Sequence, residues 1–146
     1  MAAGRGVRLK PLTDQIPKPM IPLNGTTLIE NGINKIRTYI ENVHITVGYK
    51  GDLLAQHVAT FKVSSIFNTD GKGNAWWIFN TLLKNLDEPI FVLTSDNVVD
   101  LNFDLLAAAY FQKGQPLCMV VPVRPREGLD GDFIFTDGKN NIVELS

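Results

Sequence analysis

The sequence predicts an α/β fold: three α/β/α layers around a mainly parallel, doubly wound sheet, with a β-hairpin at the C-terminal end. Three observations predict it. Short β-rich runs alternate with segments of helical period. Two of the runs, "PIFVLTSD" and "PLCMVVPV", are continuously apolar, as strands buried on both faces are. The last stretch, "DFIFTDGKNNIVELS", sets turn residues between two short β-rich runs.

The elements follow in order. The chain opens on a loop, "MAAGRGVRLKPLTDQIPKPMIPLNG". In "TTLIENGINKIRTYI", Ile29, Ile33, Ile36 and Ile40 recur at helical spacing, and Thr27 with Glu30 reads as a capping box. "VHITVG" is a strand, "DLLAQHVATF" a helix with Asp52 as N-cap, and "KVSSIFN" a strand. "NAWWIFNTLLKNL" predicts a helix with Ala75, Phe79, Leu82 and Leu86 on one face. "PIFVLTSD" is a buried strand, "NFDLLAAAYFQKG" a helix stopped by Gly114, and "PLCMVVPV" a second buried strand. "DGKNN" turns the closing hairpin. This is a Rossmann-like order, in which ligands bind at the carboxyl ends of the strands. Three segments fall there: "AAGRGVR", "NTDGKGNA" and "TSDN".

Composition narrows the function classes. A length of 146 residues suits one domain with a real core. Lys+Arg number 14 against 15 Asp+Glu, so no bulk charge draws the chain to a nucleic acid polymer or an anionic membrane. The lone Cys118 excludes an intramolecular disulfide; within "LCMVVPV" it reads as a buried structural thiol in a reducing compartment. No apolar run has the length of a membrane span, and "MAAGRG" lacks the apolar core of a secretory leader. A cytoplasmic, soluble domain is expected.

Each segment has two readings on local grounds. Gly4 and Gly6 would let backbone N–H groups turn toward an anion, with Arg5, Arg8 and Lys10 as countercharge and Lys18 stiffened between Pro17 and Pro19; a flexible N-terminus is the other reading. The loop has neither the Gly-Lys-Ser/Thr of a P-loop nor the third glycine of a dinucleotide fingerprint. Asp96, ending a buried strand, is placed to hold Mg²⁺ against phosphate oxygens, or else to close an Asx turn. Asp100 and Asp104 read as capping or solvated. Gly71 and Gly73 permit close approach to a flat ligand whose edge Asn68 could hydrogen-bond; a plain loop with an Asn68 turn is the alternative. Trp76 and Trp77 read as packing, and His44 and His57 as structural.

The opening run "AAGRGVRLKPLTDQIPKPMIPLNGTTLIENGI" resembles the N-terminal signature of the sugar-phosphate nucleotidyltransferases, the nucleotide-sugar pyrophosphorylases. That signature reads Leu-Ala-Ala-Gly-x-Gly-Thr-Arg-Leu-x-Pro-Leu-Thr, then Pro-Lys-Pro-Met, a glycine and an apolar helix. "VHITVGYKGDLL", "FVLTSDNVVDLNFDLL" and "DGDFIFTDGKNNIVELS" look like later segments of the family, less densely matched.

The resemblance implies an enzyme that joins a nucleoside triphosphate to a sugar 1-phosphate or a similar phosphorylated acceptor such as phosphocholine. Its products are an NDP-sugar-type compound and pyrophosphate, and its cofactor is Mg²⁺. By matching position, Ala3, Gly4, Arg5 and Gly6 would wrap the triphosphate, Arg8 would hold the departing pyrophosphate, and Lys18 would stabilise charge at the α-phosphate. Asp96 would hold the metal, Asn68 and Gly73 would touch the base, and Gly131 would lie near the sugar. The reading admits a homo-oligomer. Departures bear on the substrate: Val7 replaces the usual Thr, Ser95 the usual Gly, and "GKGNAWW" the usual Gly-Thr-Ala, as in the branch that includes phosphocholine-type cytidylyltransferases. Only "MAA" precedes the Gly-rich loop, and the chain stops where a Glu-Lys-Pro sugar-site motif would begin. Residues 1–146 are therefore expected to be one incomplete domain, the nucleotide-binding half of a longer enzyme truncated at both ends. The competing expectation is a non-catalytic nucleotide-binding or regulatory module of the same fold.

Overall fold

The computed structural model of the chain describes residues 1–73, 75–96, 99–123, 128 and 133–145. It is a mixed α/β structure whose described strands form small two-stranded sheets. The chain divides into two compact units, Met1–Phe103 and Asp104–Ser146.

In the first unit, a 3₁₀ turn at Val7–Leu9 leads to α1 (Leu12–Gln15) and a second 3₁₀ turn at Lys18–Met20. A small hairpin, β1 (Pro22–Leu23) with β2 (Thr26–Thr27), turns at Asn24 and Gly25, both at positive φ. Asn-Gly is a strong short-range hairpin signal, and it delivers the chain to the start of the first long helix. That helix, α2 (Leu28–Ile36), is capped as expected: Thr27 Oγ1 accepts the Glu30 N–H at 3.2 Å. It buries Ile29 and Ile33 and half-buries Ile36, but ends before Ile40, whose N–H turns back to the Ile36 carbonyl.

Strand β3 (His44–Val47) pairs in parallel with β4 (Ser65–Asn68), from His44 opposite Ser65 to Val47 opposite Asn68. Helix α3 (Gly51–Ala59) connects them and buries Leu54 and Val58 completely. Asp52 is not its N-cap. The cap position belongs to Lys50 at φ 51, and Asp52 lies in the first turn, where its charge still complements the helix dipole. The core gathers Ile29, Ile33, Val43, Ile45, Val47, Leu54 and Val58 around β3, with Ala2 among them.

Ala2 belongs there because the chain start behaves as a strand. It bridges Val47 in parallel, and the Tyr49 N–H donates to the Ala3 carbonyl at 3.2 Å. On its other side, the Met1 nitrogen donates to the Leu93 carbonyl at 2.5 Å and the Ser95 N–H to the Met1 carbonyl at 2.9 Å. That alternation is a parallel ladder. The lateral order is thus β4, β3, Met1–Ala3, Leu93–Ser95.

Three expectations are corrected. In the segment expected as a helix over 74–86, residues 75–86 form not one helix but α4 (Trp76–Asn80) and a 3₁₀ turn at Leu82–Asn85. Thr81 breaks it: its hydroxyl donates to the Trp77 carbonyl and accepts from the Leu83 N–H, competing with the helical bonds. The break turns the face round, so Trp77 and Leu83 are buried while Phe79, Leu82 and Leu86 are exposed. Second, "PIFVLTSD" is not a strand buried on both faces. Its only ladder bonds among the described residues are those to Met1, and Ile90, Phe91 and Val92 are exposed.

Third, "PLCMVVPV" in the second unit is not a strand. No strand pairs with it among the described residues, so Leu117, Val120, Val121, Val123 and Cys118 are all exposed rather than buried. Helix α5 (Phe103–Gln112) begins with Phe103, which packs in the first unit against Tyr39 and Phe91, each with ring centroids 5.3 Å away. Gly114, φ 75, lies two residues past the last helical residue and stops the helix, as expected. The closing hairpin is present: β5 (Ile134–Thr136) pairs antiparallel with β6 (Ile142–Leu145). Asp137 builds its turn, accepting from the Lys139 and Asn141 N–H groups at 2.8 and 2.9 Å and from the Asn141 carboxamide. The Asn141 side chain, then these N–H groups, hold the Asp137 carboxyl below its ordinary range. No helix among the described residues is long and apolar enough to cross a membrane.

Candidate functional site

The Gly-rich loop leaves the strand-like chain start and folds back on itself. Gly6 sits at φ 61 and ψ 36 before the Val7–Leu9 turn, a conformation that glycine adopts without strain. A Cβ on Gly6 would also lie 3.0 Å from Lys18 Cβ and from Thr13 Cγ2. The buried Thr13 locks this fold, donating from Oγ1 to the Gly6 carbonyl at 3.0 Å. Tyr49, just past β3, donates from its hydroxyl to the Thr13 carbonyl at 3.1 Å. These two hydrogen bonds tie the loop to Thr13 and, through it, to the end of β3.

Lys18 stands between Pro17 and Pro19, both fully buried, so its backbone is held rigidly. Its ammonium pairs with Asp96, 78 residues away in sequence, at the end of the Leu93–Ser95 segment. Burial raises the Asp96 carboxyl pKa. The hydrogen bond from Lys18, another from Thr94 and the Lys18 charge outweigh it, and the net position is below the ordinary 3.8. A depressed folded-state value stabilises above the unfolded value and is lost as pH falls through the folded one. In Lys18→Met the burial remains while the leading opposing causes vanish. The Asp96 titration, followed by its carboxyl carbon resonance, is therefore expected to move up, and the stability gap to the unaltered chain, present at neutral pH, to close as pH falls through that titration. An unmoved titration would remove the pair from the account.

A cleft of about 1050 Å³ opens at this edge. Ala3, Gly4, Arg5, Gly6, Arg8, Lys18, Gly73 and Asp96, all expected site residues, line it. Arg5 and Arg8 make no ion pair among the described residues. Lys10, by contrast, pairs with Asp14 one turn on at 3.1 Å and does not line the cleft. Nothing lies within 4 Å of a Cβ placed on Gly4 or Gly73, so packing does not demand glycine at either.

Two expected residues stand apart. Asn68 does not line the cleft; its Oδ1 accepts the Asp70 N–H at 3.0 Å, closing the Asx turn that was its alternative reading. Gly131 lies outside the described residues. His44 and His57 are structural, against Ser65 Oγ at 2.7 Å and Thr27 Oγ1 at 3.0 Å. No group of three or more His, Cys, Asp or Glu forms a metal cluster among the described residues.

Other residues escaped the sequence reading. A Cβ on Gly48 would stand 2.8 Å from both Ala3 Cβ and the Ala3 carbonyl, so only glycine there lets the chain start lie beside β3. A glycine directly after a strand was the available signal. Thr13 and Tyr49 bear no local mark of their role. Asp70, Lys72 and Trp77 also line the cleft, and Lys72 Nζ lies 5.2 Å from the Trp76 ring centroid. The arrangement sets four cations against two carboxylates, which suits a polyanion with one metal-binding or acid–base group beside it.

Comparison with known proteins agrees with this chemistry. The family model described as nucleotidyl transferase matches residues 1–129. The bifunctional protein GlmU of Methanococcus aeolicus is 34% identical over 147 residues, covering 99% of this chain and 34% of that protein. Mannose-1-phosphate guanyltransferase of Debaryomyces hansenii is 28% identical over 153 residues, covering 99% of this chain and 42% of its own. A 2-aminoethylphosphonate cytidylyltransferase of Lancefieldella rimae is 50% identical over 50 residues, which is 34% of this chain and 20% of that one. Among solved structures, the CTP:phosphocholine cytidylyltransferase of Streptococcus pneumoniae (LicC) aligns with a TM-score of 0.49 and 30% identity, over 57% of this chain and 37% of that one. The chain spans about a third of the length of the two GlmU relatives that it matches nearly end to end. It belongs to the nucleotidyl transferase family.

Proposed function

We propose that this nucleotidyl transferase family member joins a nucleoside triphosphate to a sugar 1-phosphate or a phosphocholine-like acceptor, releasing pyrophosphate, in the cytoplasm. Residues 1–146 on this reading form one nucleotidyltransferase domain, with a three-layer, doubly wound sheet. The lateral order supports it: the chain runs outward from Met1–Ala3 through β3 to β4, then returns to the other side at Leu93–Ser95. That is a topological switch point, and ligands bind in the crevice beyond the strand ends there.

The carrying observation is the cleft itself, where the Arg5 and Arg8 guanidiniums on a glycine loop share a wall with the Lys18–Asp96 pair. Ala3, Gly4, Arg5 and Gly6 would hold the triphosphate, Arg8 the leaving pyrophosphate, and Gly73 the base. An acceptor phosphate oxygen attacks the α-phosphorus in line, the α–β bridging bond breaks, and the electron pair leaves on pyrophosphate. Lys18 supplies positive charge at the α-phosphate, so the protein's work is positioning and charge stabilisation. One half-exposed, ionised carboxylate fits Mg²⁺, which needs few protein ligands when phosphates complete its shell. Asp96 would hold it, released from Lys18, and the ion would neutralise phosphate charge.

Calorimetric titration with CTP, UTP, GTP, dTTP and ATP in Mg²⁺ tests the binding half. Saturable heat from at least one nucleotide is expected; none from any, in a folded sample, defeats the reading. Pyrophosphate release with sugar 1-phosphates and phosphocholine then separates an enzyme from a binding module.

A further inference from the structure

Tyr49 holds the Gly-rich loop at both ends without itself lining the cleft. Its backbone N–H donates to the Ala3 carbonyl at 3.2 Å, where the loop begins. Its hydroxyl donates to the Thr13 carbonyl at 3.1 Å, and Thr13 Oγ1 donates to the Gly6 carbonyl at 3.0 Å, where the loop turns. The Leu9 N–H shares the Gly6 carbonyl at 2.9 Å from within the loop, so Thr13 supplies its tie to α1. The Thr13 carbonyl needs the tyrosine. In a helix it would accept the N–H of residue 17, but residue 17 is proline and has none. Thr13 is 2% exposed, and a carbonyl buried there without a donor would be costly. The Tyr49 hydroxyl thus stands in for the N–H that Pro17 gives up in stiffening the approach to Lys18.

Holding these carbonyls also sets the loop's donors. A trans peptide points its N–H opposite its C=O. With the Ala3 carbonyl turned to Tyr49 and the Gly6 carbonyl to Thr13, the Gly4 and Val7 N–H groups face away from those partners. The N–H groups of Gly4, Arg5, Gly6 and Val7 donate to no other group among the described residues, and all four residues line the cleft. A run of unused backbone donors is an anion-binding arrangement, provided that its backbone is held in place.

We infer that Tyr49 and Thr13 are positioning residues for phosphate binding: they fix the Ala3 and Gly6 carbonyls and thereby hold the N–H groups between them ready for the phosphates of the ligand. This rests on the nucleotide-binding reading of the cleft. Neither side chain touches the ligand, and the base on that reading lies at Gly73. Loss of either hydroxyl therefore weakens every nucleotide by the same factor, whatever its base.

The test is calorimetry with inorganic tripolyphosphate and the five nucleotides in Mg²⁺, with a urea midpoint for each variant. Tyr49→Phe deletes one hydroxyl and keeps the N–H that meets Ala3. It is expected to weaken tripolyphosphate roughly fivefold, the loss of one net hydrogen bond, and to weaken any nucleotide that binds by the same factor. Thr13→Val is expected to do as much, while Thr13→Ser, which keeps the hydroxyl, stays within about twofold of the unaltered chain. The double variant Tyr49→Phe with Thr13→Val is expected to fall short of the product, because both act through one linkage. A lowered urea midpoint with unchanged affinity would make the two residues merely structural and overturn the inference. Thr13→Ser binding as weakly as Thr13→Val also overturns it. Should Tyr49→Phe not fold, the two Thr13 variants decide alone. No heat from tripolyphosphate or any nucleotide with the unaltered chain defeats the underlying reading, and this inference with it; binding that none of the variants weakens defeats the inference alone.

Discussion

Lys18→Ala and Asp96→Asn are each expected to lower acceptor-dependent pyrophosphate release about a hundredfold, or ~3 kcal/mol of transition-state stabilisation, with folding retained. The asparagine keeps the Asp96 shape and removes only charge, whereas the alanine keeps the Lys18 Cβ beside Gly6 and removes the rest of the side chain with its charge. The two side chains touch in the free protein, and each is expected to act at the same phosphate. Their effects should therefore not add: the double variant is expected to fall well short of ten-thousandfold. Steady-state rates with matched circular dichroism and urea midpoints check this. Near-normal turnover by either variant would take its residue out of the reaction.

Gly48→Ala is expected to cost ~1–3 kcal/mol, the usual range for overpacking a tight contact. The new methyl would meet the Ala3 backbone, which cannot rotate away as a side chain tip could. The Met1–Ala3 ladder would have to shift, and with it the start of the Gly-rich loop, so nucleotide affinity should fall together with the urea midpoint. Gly4→Ala is the control. Nothing lies within 4 Å of its Cβ, and its stability is expected within ~0.5 kcal/mol of the unaltered chain. Equal stability of the two variants would refute the role given to Gly48.

What could be read directly was local chemistry. The Thr27 cap, the Gly114 stop and the Asp137 turn each depend on side chains meeting backbone groups one to four residues away. The cations and glycines of Gly4–Arg8, with Lys18 and Asp96, could be grouped in advance because few residue types suit phosphate, and they do line one cleft. Of the two readings open for Asn68, the structure shows the turn, because the carboxamide meets an N–H only two residues on.

The sequence by itself thus determined the Thr27-capped helix, the β3–α3–β4 alternation and the closing hairpin. Tertiary structure alone decided that Met1–Ala3 lies as a strand between β3 and Leu93–Ser95, and that Gly48 makes room for it. It also brought Lys18 to Asp96 across 78 residues and exposed the apolar runs around Phe91 and Val121. The physical reason is the same in each case. Apolar content shows that a segment seeks burial, but burial of a strand needs ladder neighbours on its edges and cover on its faces. Which segments become those neighbours is settled by contacts between residues far apart in the chain, on which local spacing is silent.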